Sequence, residues 1–254
     1  MFKRISVFIY GVVSYAAFFG SFLYAIGFVG NLWVPKSIDS PPQVSLGLAL
    51  LIDSVLLGAF AVQHSVMARR GFKRWLTRFI PEPAERSTYT LASSLLLIAL
   101  FAHWQPIGGV IWDLDDPGAR MMVYSLFGFG WALVLLATFL INHLDLFGLR
   151  QVWLYLIGRE YTQLRFGTPG LYKWVRHPLY VGWFFAFWAT PTMTIAHLVF
   201  ALLTTGYILV AIQLEERDLL EVHPEYASYR KRVPMLIPRL RFRSGRGGPT
   251  GEIA

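Results

Sequence analysis

Five apolar stretches dominate this sequence, and they constrain its fold more than any other feature. They cover about 5–30, 44–67, 88–104, 121–145 and 178–213. One bilayer crossing takes roughly 20 predominantly apolar residues, so the first four stretches fit one crossing each. The fifth does not. As a single straight helix it would run about 54 Å at ~1.5 Å per residue, against a hydrocarbon core of roughly 30 Å. Pro191 sits in "ATPTMT" near its middle, and proline removes a helix hydrogen bond and clashes with the preceding turn. The stretch therefore reads as two segments, 178–190 and 192–213, folded back as a hairpin whose first leg is short.

The charges support the same reading. The loop after the first stretch carries only Lys36, and the one after the third only Arg120. The other loops are basic: Arg69, Arg70, Lys73, Arg74, Arg78 and Arg86 lie at 68–87, and Arg150, Arg159, Arg165, Lys173 and Arg176 at 146–177. Lys3 and Arg4 precede the first stretch; Arg217, Arg230, Lys231 and Arg232 follow the last. Basic residues collect on the cytoplasmic side of a membrane. All these blocks share that side only if the fifth stretch crosses twice. The expectation is an all-α integral membrane protein of five to six transmembrane helices, with both termini cytoplasmic. Residues 1–240 read as one domain and 241–254 as a flexible low-complexity tail.

Composition excludes several functions. The chain is 55% hydrophobic and 15% charged, against about 45–50% and about 25% for soluble domains. Its net charge of +8 is explained by the loop bias, and no nucleic-acid motif accompanies it, so no nucleic-acid partner is expected. With no cysteine there is no disulfide, thiolate nucleophile or Cys-ligated metal. "WDLDDPG" holds Asp113, Asp115 and Asp116 but reads as a solvated turn, and no metal site is expected. The first stretch reads as a retained helix and not a signal peptide.

Polar residues at membrane depth are functional candidates, and here they cluster. Gln63 and His64 end the second stretch. Asn142, His143 and Asp145 end the fourth. Arg176 and His177 open the fifth, and Gln213, Glu215, Glu216 and Arg217 close it. In the topology above, all four clusters meet at the cytoplasmic face, under the loop 146–177 and the tail. Asp53 reads as a buried carboxyl with a hydrogen-bond partner, His103 and His197 as residues of the far interface. A helix continuing past 145 would align His143, Phe147 and Arg150; a direct His143–Asp145 dyad needs that helix to break, as Gly148 allows slightly later. "RHPLY" reads as a helix start, with Pro178 tolerated in the first turn and the N-terminus open to an anion. Arg176 can fork onto a carboxylate, and Gly182 permits close backbone approach. Glu215 and Glu216 can pair with Arg176, or bind an amine or ribose hydroxyls. Together these groups suit a zwitterion.

"RHPLYVGW", followed by "EERDL" and "YASYRKRVP", resembles the isoprenylcysteine carboxyl methyltransferase-like superfamily over about 176–234. "QHSVMAR", "ERSTYTL" and "INHLDLFGLRQVWLY" are similar to the NnrU-related bacterial enzymes that methylate methanethiol. The resemblance implies an integral enzyme of the bacterial cytoplasmic membrane that uses S-adenosylmethionine to convert methanethiol, a small volatile thiol, to dimethyl sulfide, with hydrogen sulfide as a related acceptor. By motif match it places Arg176, His177, Pro178, Tyr180, Gly182, Glu215 and Glu216 at the cofactor, with Tyr229 and Arg230 from the covering tail.

Such a reaction needs the acceptor sulfur aligned behind the methyl group and water excluded. A thiol is mostly protonated near neutrality, so a proton acceptor is expected. His64 and His143 are candidates, with Asp145 as base or orienting partner and Arg150 stabilising a thiolate or organising the loop. Gln63, Asn142, Phe147 and Gln151 are the expected acceptor-pocket residues. The residues leave other readings open: an isoprenylcysteine or phospholipid methyltransferase, an NADPH-dependent membrane reductase, or a non-enzymatic NnrU-like accessory protein.

Overall fold

The computed structural model describes residues 1–238. The expected domain end at 240 and the tail 241–254 lie outside the described residues. The described chain is almost wholly helical, as expected. Four helices are long and apolar enough to cross a membrane: α1 (Phe2–Gly30), α2 (Leu46–Met67), α5 (Pro117–Ile141) and α9 (Ile195–Val222). Between them lie α3 (Arg70–Leu76), α4 (Glu85–His103), α6 (His143–Leu146), α7 (Leu149–Leu156) and α8 (Pro178–Trp188), and α10 (Tyr226–Arg232) follows. The outward faces expose Leu51, Val55, Val62, Phe129, Phe139 and Val210, which suits lipid contact.

Local chemistry sets the helix ends. Asp116 caps α5 by accepting from the Ala119 N–H at 2.8 Å, with Pro117 at the first position. Asn142 (φ 151°) stops α5, and Gly148 (φ 89°) separates α6 from α7. The fourth apolar stretch therefore breaks twice, first at Asn142, earlier than Gly148 alone would allow.

The hairpin forms as expected, with legs of unequal length. α8 has 11 residues, about 16 Å, short of a bilayer core. α9 has 28 residues, about 42 Å, and carries Gln213, Glu215, Glu216 and Arg217 inside the helix, beyond the expected end at 213. α5 and α8 pack backbone to backbone. A Cβ on Gly182 would sit 2.8 Å from the Val134 nitrogen, and one on Gly130 2.5 Å from the Ala186 nitrogen. Gly182 thus permits the close crossing of α5 and α8.

At the opposite end, a short antiparallel pair not anticipated from the sequence joins β1 (Val110–Asp113) to β2 (Thr192–Thr194). It holds the hairpin turn against the loop after α4. His197 is buried there, with Nε2 2.8 Å from the Phe187 carbonyl; this corrects its assignment as an interfacial residue. Trp104 is also fully buried and donates to the Ile38 carbonyl at 3.1 Å. Both are covered because the 31–45 loop folds over the bundle end. Asp53 accepts from the Gln105 N–H at 2.8 Å, as expected of a buried carboxyl.

Asp39 ties that loop down. It accepts from Asn31 Nδ2 at 2.7 Å and from the Thr194 hydroxyl, with His197 Nδ1 at 3.8 Å. Burial pushes its pKa up, but the partners His197, Thr194 and Asn31 outweigh that and hold it below the ordinary 3.8. A carboxylate lowered by folding stabilises above its unfolded pKa and loses that contribution as pH falls through the folded value. Asp39→Asn should therefore cost about 1.5–3 kcal/mol at pH 7 and flatten the loss of melting temperature below pH 4. Thermal melts in detergent across pH check both.

Candidate active site

The expected clusters do converge at one end of the bundle, but their members divide into a structural clasp and an open face. The clasp centres on Glu216, 2% exposed. Its Oε1 accepts from Arg176 Nε at 2.7 Å and lies 3.0 Å from His177 Nε2. Its Oε2 lies 3.0 Å from Arg230 Nε. Arg176 also donates to the carbonyls of Arg230 at 3.0 Å and Val233 at 2.7 Å. The N–H groups of Arg176 and His177 reach the carbonyls of Pro234 and Met235. Tyr229 is buried and donates to the Tyr172 carbonyl at 2.6 Å, and burial pushes its own pKa up to about 12. Pro178 is buried at the first position of α8. Arg176, His177, Glu216, Tyr229 and Arg230 thus satisfy one another. They fasten the C-terminal segment to the start of α8, with Glu216 turned inward and the Arg230 side chain still 45% exposed. The cause is helical phase: Glu215 and Glu216 point about 100° apart, and the second faces inward.

Glu215 faces the other way. Its side chain is 47% exposed, and Oε2 accepts from the Tyr180 hydroxyl at 3.0 Å. A second group of polar side chains lies on α2 and α4. Tyr89 bonds His64 Nε2 at 2.7 Å. His64 Nδ1 lies 3.2 Å from Ser93 Oγ, which donates to Gln63 Oε1 at 3.2 Å. Because the Ser93 hydroxyl is spent on Gln63, His64 carries its proton on Nδ1, and Nε2 accepts from Tyr89. Glu215 and Tyr180 thus form one polar pair, and Tyr89, His64, Ser93 and Gln63 a separate hydrogen-bonded chain. Tyr89 and Ser93 were not among the candidates the sequence offers; Tyr89 lies within "ERSTYTL" and Ser93 two residues beyond it.

The α6–α7 residues behave differently. His143 is 4% exposed. Nδ1 meets Thr138 Oγ1 at 2.8 Å and Nε2 the Tyr15 hydroxyl at 2.8 Å, and Phe139 stacks on the ring at 4.3 Å. Burial holds its pKa below 6.5. No His143–Asp145 dyad forms, despite the helix break. Asp145 instead accepts from Arg150 at 2.8 Å and from Tyr161 at 3.3 Å. Arg150 also binds the Thr162 carbonyl at 2.9 Å and hydroxyl at 3.1 Å, so it organises the covering loop, one of its two expected roles. Phe147 stacks on Phe18 at 3.8 Å, Asn142 accepts from the Asp145 N–H at 3.1 Å, and Gln151 donates to the Asp145 carbonyl at 3.1 Å. These three act as packing and capping groups. An open groove of about 420 Å³ has Asn142 and Arg150 beside Phe8, Val12, Leu149 and Trp153; it contains none of the Glu215 or His64 face.

The chain is of the membrane methyltransferase class: residues 131–221, which include α8 and the acidic pair, match the Isoprenylcysteine carboxyl methyltransferase (ICMT) family. The sequence is 61% identical over 237 residues to "Methanethiol S-methyltransferase" of Crocosphaera subtropica, covering 93% of each chain. It is 53% identical to "Methanethiol S-methyltransferase" of Mycobacterium tuberculosis over 93% of this chain and 97% of that one. "Nurim" of Bos taurus is 30% identical over 69% of this chain and 70% of its own. No solved structure matches. The chain belongs to the methanethiol S-methyltransferase family.

Proposed function

We propose that this chain transfers a methyl group from S-adenosylmethionine to methanethiol, giving dimethyl sulfide, at the cytoplasmic face of a bacterial cytoplasmic membrane. The observation that carries the reading is the open acidic–tyrosine face set beside a neutral histidine. Glu215 Oε1 makes no hydrogen bond among the described residues, so it suits an ammonium or ribose hydroxyl of the donor, with Tyr180 fixing the carboxylate. The clasp around Glu216 positions this face without spending its donors on the ligand. S-adenosylmethionine supplies an activated sulfonium methyl group when bound.

The remaining work belongs to the chain. Each turnover releases the thiol proton. Tyr89 and His64 provide its route: the Tyr89 oxygen receives the proton as its own moves to His64 Nε2. Ser93 and Gln63 hold the His64 tautomer and stabilise the imidazolium that forms. The loop tied by Arg150, Asp145 and Tyr161 covers the site and excludes water.

The deciding experiment uses the purified full chain in lipid nanodiscs. It should release dimethyl sulfide from methanethiol and S-adenosylmethionine, and none with NADPH as co-substrate. Glu215→Gln should raise the Kd for S-adenosylmethionine about 10- to 100-fold, the loss of one charge-assisted contact. Calorimetry showing equal affinity in the variant would remove Glu215 from the donor site.

A further inference from the structure

Seven-residue α3 and the turn after it carry a surface that methyl transfer does not use. Three of its cations have acidic partners. Arg69, just before the helix, pairs with Asp218 at 3.0 Å, Arg70 with Glu221 at 3.6 Å and Lys73 with Glu85 at 3.9 Å. The outward side is different. Arg74, Trp75 and Arg78 recur at helical spacing and are exposed, with Phe79 beside them. Trp75 is 49% exposed and Phe79 72%, their rings 5.3 Å apart. Arg74 and Arg78 make no ion pair among the described residues, although three neighbouring cations are paired.

Aromatic rings interleaved with uncompensated arginines match the two layers of a membrane interface. Rings settle at headgroup depth, and the guanidiniums reach anionic phosphates. Water alone gives no return on exposing Trp75 and Phe79 together. The position fits as well, since α3 directly follows the end of α2, which the apolar pattern places at the membrane edge. We propose that the outward face of α3 is a binding surface for anionic phospholipid headgroups in the leaflet facing the basic loops.

The test places the full chain in nanodiscs of phosphatidylcholine with or without phosphatidylglycerol, each brominated high on the acyl chain. Trp75 emission is isolated by subtracting Trp75→Phe. Brominated phosphatidylglycerol should quench it at far lower mole fraction than brominated phosphatidylcholine. Arg74→Gln with Arg78→Gln should lower that preference roughly 30-fold, at about fivefold per arginine. Lysine at both positions should retain it, because a point charge suffices. Equal quenching by both lipids overturns the proposal. So does quenching of Trp75 by aqueous iodide to the same extent in nanodiscs and detergent. The readout is independent of catalysis, so its failure leaves the methyltransferase reading untouched.

Discussion

Glu216→Ala should destabilise the protein by about 3–5 kcal/mol, because it leaves Arg176 at low exposure without its counter-charge. Arg176 Nε and His177 Nε2 both lose the oxygen they share, and Arg230 loses its partner. The expected signature is specific. The segment after 223 becomes sensitive to limited proteolysis, while α1 to α7 stay protected. Activity should fall with the clasp. Glu216→Gln keeps two acceptor or donor atoms in place and should fall between wild type and Ala in melting temperature. Arg176→Lys tests the same clasp from the other side, since a lysine ammonium cannot hold Glu216 and two carbonyls in one fork. If Glu216→Ala melts with the wild type and resists protease equally, the clasp is not what secures the C-terminal segment.

His64→Asn should lower kcat by about 10²- to 10⁴-fold, the range of general acid–base contributions, with little change in affinity for the methyl donor. Tyr89→Phe should act in the same direction, because the phenol is the only link from His64 Nε2 to the open face in this network. Raising the pH supplies thiolate from solution, so both variants should recover relative to wild type as pH rises. A purely structural defect would not recover. His143→Gln provides the contrast. Its ring is sealed by Tyr15 and Thr138, and burial already lowers its pKa. The folded state therefore resists protonation that the unfolded state accepts, and stability falls as pH drops below about 6.5 through the folded value. The variant should weaken that acid sensitivity and leave the pH profile of kcat unchanged. An unaltered rate and profile in His64→Asn would eliminate the Tyr89–His64 route.

The legible part of the site was its composition. Arg176, His177, Tyr180 and the acidic pair were chosen on spacing and motif, and all lie at one end of the hairpin. Their division of labour was not legible. Glu215 and Glu216 are adjacent and identical in type, and only the rotational setting of α9 against α8 and the C-terminal segment makes one a buried clasp and leaves the other an exposed carboxylate. Gly182 is expected from the sequence to allow a close backbone approach, and the structure shows that α5 makes one there, at Val134. His64 and His143 looked equivalent as bases, yet one ends a hydrogen-bonded chain beside the open face and the other is closed in by aromatic rings. Tyr89 went unnoticed because a lone tyrosine at the start of a helix carries no pattern by itself.

The sequence by itself determined that this chain is a membrane protein with a returning hairpin, because apolar length, proline placement and charge asymmetry are properties of the linear chain read against a bilayer of known thickness. It also determined which end of the bundle gathers polar groups. Only the tertiary structure decided which of those groups remain open to a ligand. Hydrogen-bond capacity is finite: once Arg176, Arg230 and His177 converge on Glu216, that carboxylate is engaged, and two of those partners, Arg176 and His177, come from 40 and 39 residues away in the chain.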